Sequence, residues 1–277
     1  MSFIYAEKRE EYTLIYSDTK LTFNQHAALN WGKQTYDAMC TYGLIKSIIV
    51  RDNCCISFAG NNIMLAHDLI KQSVEHEEIT EKQLIDNAFD IYLSAAPDDI
   101  EFIICTADEK EETHITCIKE RKITYDNQNA WIGSPIAFHK MQEIRMQDKK
   151  IGLGDPFERS IHECGDLSVG GFPILTVYST FEHGFFYTER ISSTTGRAHN
   201  TAPGEIIDFY DTAADGGYTT YQHWSNEEVR IDFLQGDFSI LYTNKYRLSE
   251  PDEYTKYFLL PIPIKTSEKI ILPVRSS

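Results

Sequence analysis

The order in which strand-like and helix-like periodicities follow one another constrains this chain more than any single motif. Residues 3–7 and 12–18 read as strands joined across Lys8-Arg9-Glu10-Glu11. Residues 47–50 and 54–59 read as a second pair, turning at Arg51-Asp52-Asn53. Two helical patterns follow. Residues 62–76 carry Ile63, Ala66, Leu69, Ile70 and Val74 at helical spacing, and residues 81–95 carry Leu84, Ile85, Ala88 and Ile91 behind Thr80, a natural N-cap. Strands return at 101–106, 114–118 and 130–132, helices at 137–147 and 156–164, and strands at 172–179 and 184–191. Strands and helices that come in runs, rather than strictly alternating, predict antiparallel sheets with helices on their outer faces.

The character changes after residue 197. A turn-rich segment reaches Gly217, and aromatic strand-like pieces follow at 218–224, 229–233, 238–242 and 257–260. The Pro-interrupted stretch Leu260-Pro261-Ile262-Pro263-Ile264 is expected at a sheet edge. With 277 residues, 42% of them hydrophobic, the chain suffices for one large domain at 1–197 and a β-rich extension at 198–277. Its net charge of −16, with no Lys/Arg-rich run, argues against a nucleic-acid binder. Cys40, Cys54, Cys55, Cys105, Cys117 and Cys164 show no metal-ligand spacing, and the adjacent Cys54 and Cys55 predict at least one buried thiol. His67, His139 and His162 fall on helical segments and read as surface or packing residues. No signal peptide, membrane span or nucleotide motif is read, so a cytoplasmic protein without cofactor or metal is expected.

The chemistry begins at Ser2. Were Met1 removed, this residue would carry a hydroxyl and a free α-amine together, a nucleophile beside its own general base. Asp18 follows sixteen residues later, with Lys20 and Thr22 at two-residue steps. Lys46 precedes an apolar strand pair that ends at Ala59-Gly60. Beyond these come Ile132-Gly133-Ser134, then Asp166 ahead of Gly170-Gly171. Singly, each has a plainer reading: Asp18 a turn former, Lys46 a solvated strand end, Gly133-Ser134-Pro135 a turn, Asn61-Asn62 a helix cap.

Together and in this order, these residues resemble the proteasome-type β subunits of the N-terminal nucleophile hydrolases, including the bacterial self-compartmentalising peptidases, over roughly residues 2–195. The resemblance implies an α+β fold, a four-layer αββα sandwich of two antiparallel sheets. It implies peptide-bond hydrolysis through an acyl-enzyme on Ser2, with Lys46 lowering the hydroxyl pKa and Asp18 holding Lys46. Gly60 would give its N–H to the oxyanion, a donor whose loss costs about 3–4 kcal/mol. Ser134 and Asp166 would orient the α-amine, and Lys20 and Thr22 would line the cleft for an extended peptide. A homo-oligomeric ring is implied, with peptide or unfolded protein as substrate and possible feeding by a separate ATP-driven unfoldase. Three departures stand out: residues 23–45 are about twice the family's length, Val169 replaces a Ser directly before the Gly-Gly pair, with Ser168 one place earlier, and Pro135 replaces a small, flexible residue. These departures leave open an inactive structural or scaffold subunit of the same fold, and a hydrolase of small amides is a third reading.

Overall fold

A computed structural model describes residues 2–18, 46–76, 78–147, 152–170 and 173–187 in continuous runs, with short strand segments between 20 and 43 and between 206 and 263. The elements are β1 (Phe3–Lys8), β2 (Tyr12–Ser17), β3 (Lys20–Leu21), β4 (Leu29–Trp31), β5 (Gln34–Tyr36), β6 (Tyr42–Gly43), β7 (Ser47–Arg51) and β8 (Cys54–Ala59). Then come α1 (Ile63–Glu75), α2 (Glu81–Ser94), β9 (Glu101–Ala107), β10 (Thr113–Lys119), β11 (Lys122–Thr124) and β12 (Asn129–Gly133). They are followed by α3 (Pro135–Gln147), α4 (Gly154–Glu163), β13 (Ile174–Ser179) and β14 (Gly184–Tyr187). The last strands are β15 (Ile206–Tyr210), β16 (Tyr218–His223), β17 (Glu228–Phe233), β18 (Phe238–Thr243) and β19 (Ile262–Pro263).

The elements from β1 to β14 make an α+β fold with two five-stranded antiparallel sheets, ordered β12-β1-β2-β13-β14 and β11-β10-β9-β8-β7. Side chains along a strand point alternately to its two faces, and β1 uses both. Phe3 and Tyr5 join Ala137, Met141, Phe157 and Ile161 of α3 and α4, with the Phe3 and Phe157 rings stacked at 4.9 Å. Ile4 and Ala6 enter the other core, with Ile56, Phe58, Phe102 and Ile104 of the second sheet. Ala66, Leu69 and Ile70 of α1 and Leu84, Ile85 and Ala88 of α2 belong to that same core, the two helices lying against β7–β10. Strand β1, flanked by β12 and β2, is therefore buried on both faces and along both edges.

Cys54, Cys55, Cys105 and Cys117 are buried as small hydrophobes in the second sheet. Helix α3 starts at Pro135, two residues before the expected Ala137, because proline suits a first helical position, where its missing N–H has no partner to lose. Helix α4 likewise starts early, at Gly154. A fifth C-terminal strand, β15, lies in the segment read as turn-rich, and β15 to β19 form an antiparallel sheet in chain order with β19 at its edge. Residues 188–205, which contain the expected boundary at 197, lie outside the described residues, as do Trp224 and the strand expected at 257–260. Among the described residues no helix is long and apolar enough to cross a membrane.

Candidate active site at the start of the first strand

Placing β1 in the middle of a sheet puts Ser2, its preceding residue, among the ends of neighbouring strands rather than on a loose terminus. Ser2 is only 6% exposed. On one side, the Phe3 N–H donates to Asp18 Oδ1 at 2.9 Å, and the Asp18 N–H returns a bond to the Phe3 carbonyl at 3.1 Å. Lys46 Nζ donates to the same Asp18 oxygen at 2.7 Å, and the Gly170 N–H reaches Asp18 Oδ2 at 3.2 Å. Both members of this ion pair are sealed from solvent, Asp18 at 0% and Lys46 at 1%. Burial is the largest influence on the Asp18 carboxyl and pushes it up from its ordinary value; the Lys46 ammonium and the two backbone N–H groups pull the other way. Lys46 is thus no solvated strand end, and its place just before β7 is tied to β8 by the bond from the Phe58 N–H to its carbonyl.

On the other side, the Ser134 N–H donates to the Ser2 carbonyl at 2.7 Å. Gly133 makes this approach possible. It sits at φ +87°, and a Cβ there would lie 1.9 Å from the Ser2 oxygen, so no other residue fits. The Ser134 hydroxyl has two uses: it accepts from the Ala137 N–H at 3.2 Å, capping α3, and donates to Asp166 Oδ2 at 2.5 Å. Ser168 gives Asp166 Oδ1 both its N–H, at 2.9 Å, and its hydroxyl, at 2.6 Å. Burial acts on Asp166 most strongly and raises it, but the Ser134 and Ser168 donors together outweigh this and hold the carboxyl below its ordinary value. The hydroxyl displaced by one place in the sequence therefore still reaches the carboxylate, while Val169 turns into the core beside α3 and α4.

Gly60 lies in the turn between β8 and α1 at φ +152°, where a Cβ would stand 2.1 Å from the Asp99 carbonyl. The next two N–H groups, of Asn61 and Asn62, bond to the Asp98 and Asp99 carbonyls, at 3.2 and 2.9 Å. The Asn62 side chain makes no capping bond to α1, so the turn is held by main chain. Ala59 links it to the centre, its Cβ standing 3.2 Å from where a side chain on Gly133 would begin. The structure thus brings Ser2, Asp18, Lys46, Ser134 and Asp166 into one run of bonds through backbone and side chains, with Gly60 one residue from the Gly133 contact. Lys20 pairs through its backbone with Gly43, but its side chain, all of Thr22 and most of residues 23–45 lie outside the described residues. His139 and His162 are exposed on α3 and α4.

Sequence reasoning missed one neighbour, Glu101, whose carboxylate accepts the Gly133 N–H at 2.8 Å. Nothing in the Asp98-Asp99-Ile100-Glu101 run distinguishes it from a solvated strand start. Among the described residues no cluster of three or more His, Cys, Asp or Glu is placed to hold a metal ion. A scan against protein-family models found no match, and neither did a search of curated proteins.

Proposed function

We propose that this chain is a proteasome-like N-terminal nucleophile hydrolase, a four-layer αββα sandwich that cleaves peptide bonds with Ser2 once Met1 has been removed. One observation carries the reading: the buried Asp18–Lys46 pair is bonded to the residue after Ser2, while Ser134, itself on Asp166, holds the Ser2 carbonyl. An ion pair sealed in a core is a poor means of stabilising a fold, since desolvation offsets most of its attraction. Its position against a hydroxyl-bearing chain start is what a nucleophile requires. Ser2 Oγ attacks the carbonyl carbon as the α-amine takes its proton, and the oxyanion accepts the Gly60 N–H. Collapse of the tetrahedral adduct breaks the C–N bond, the amine leaves with that proton, and water then hydrolyses the ester on Ser2.

Substrates of this reading are peptides or unfolded proteins, in a homo-oligomeric ring that a separate ATP-driven unfoldase could feed. A second reading, an architectural subunit of the same fold, is favoured by the 6% exposure of Ser2 in a chain that carries Met1 before it. Intact mass before and after treatment with a peptide epoxyketone, which bonds to both the hydroxyl and the adjacent α-amine, separates the two. A mass lacking methionine, with one adduct abolished in Ser2→Ala, is the expected result. Retained methionine without an adduct would assign the chain to the architectural reading.

A further inference from the structure

We propose that Glu101 is a positioning residue for Ser2, holding from the second sheet the glycine against which the Ser2 carbonyl rests; this inference rests on the nucleophile reading for its rate prediction but not for its geometry. Gly133 ends β12, an edge strand with β1 on one side only. Its N–H is taken by Glu101 Oε2 at 2.8 Å, from the start of β9 in the other sheet. The next residue supplies both the N–H on the Ser2 carbonyl and the hydroxyl on Asp166. One carboxylate therefore anchors the segment that grips Ser2, from the side opposite Asp18 and Lys46.

The surroundings suit an anchor. Glu101 is partly buried, and that burial, its largest influence, raises its carboxyl while the Gly133 N–H and the Lys119 ammonium oppose the rise; Asp98 and Glu120 add to it. Lys119 is itself held in place, its ammonium 3.3 Å from the centre of the Trp131 ring, two residues before Gly133. Covering an edge N–H is also a plain way to blunt a sheet edge. That role would alter melting temperature alone and leave the rate at Ser2 unchanged.

The experiment pairs amide hydrogen exchange at residues 133 and 134 with the kinetics of Ser2 modification by a peptide epoxyketone, in the full chain below its melting temperature. Losing one such bond should speed exchange about tenfold in Glu101→Ala and lower kinact by a similar factor, with KI within about twofold of the parent. Glu101→Gln keeps an acceptor oxygen and should restore both; Glu101→Asp, one methylene shorter, should fall between and serves if the alanine variant does not fold. Unchanged exchange in Glu101→Ala, or faster exchange with unchanged kinact, overturns the proposal. Were the parent chain not labelled at all, the Ser2 chemistry would fall, and exchange at residue 134 would decide the positioning alone: faster upholds it, unchanged overturns it.

Discussion

At the scale of single residues, the Asp18–Lys46 pair carries the sharpest consequence. Truncating a partner leaves the other charge buried without compensation, so Lys46→Ala is expected to cost about 3–5 kcal/mol in urea unfolding as well as abolishing Ser2 labelling. From sequence alone that substitution would be expected to spare the fold; its 1% exposure removes that expectation. Asp166 gives a pH signature. Its carboxyl is held low in the folded chain, so its stabilisation is complete above the unfolded value of about 4 and disappears as pH falls through the lower native one. Ser134→Ala removes one donor and lets the native value rise. Its unfolding free energy should therefore fall less steeply than the parent's below about pH 4, as urea titrations at several pH values would measure. Asp18, Lys46, Ser134 and Asp166 were singled out by their order along the chain and the resemblance it carries, since the residues that bond, 28 and 32 apart, give no local signal of their own. Glu101 was not, because its partner is a main-chain N–H, which leaves no trace in residue identity.

Secondary-structure elements show the same division between local and distant causes. Thr80 accepts from the Gln83 N–H while the Gln83 side chain accepts the Thr80 N–H, a reciprocal cap on α2. Thr80→Ala should lower stability by about 1 kcal/mol, read from the urea midpoint at unchanged slope. That cap was readable because its partners stand three residues apart. The end of α1 was also read to within a residue, but its closure from outside was not: Arg51 of β7 gives its guanidinium to the carbonyls of Ser73, His76 and Ile79. Strand β15 escaped for another reason. Five residues, Ile206–Tyr210, stand between Pro203-Gly204 and Gly216-Gly217, and turn formers on both sides outweigh so short an alternation.

For the molecule as a whole, the net charge of −16 opposes bringing copies together. If the chain forms the proposed ring, light scattering should give a multiple of the single-chain mass, and the assembly should loosen as salt is lowered and screening weakens. A constant single-chain mass across that range would count against a ring. The arrangement of the first sheet also has a consequence in time. Strands β1 and β2 are made well before β12 and β13, yet β1 needs β12 and β2 needs β13 beside it. A lone hairpin, apolar on both faces, is at best marginally stable in water. The Ser2 carbonyl waits for Ser134 and Asp18 waits for Gly170, so both find their partners only after a long stretch of later chain has been made. A chain interrupted before residue 134 carries Ser2, Asp18 and Lys46 but lacks Ser134, Asp166 and the Gly170 N–H, so half of the bonds around the proposed nucleophile depend on residues made much later.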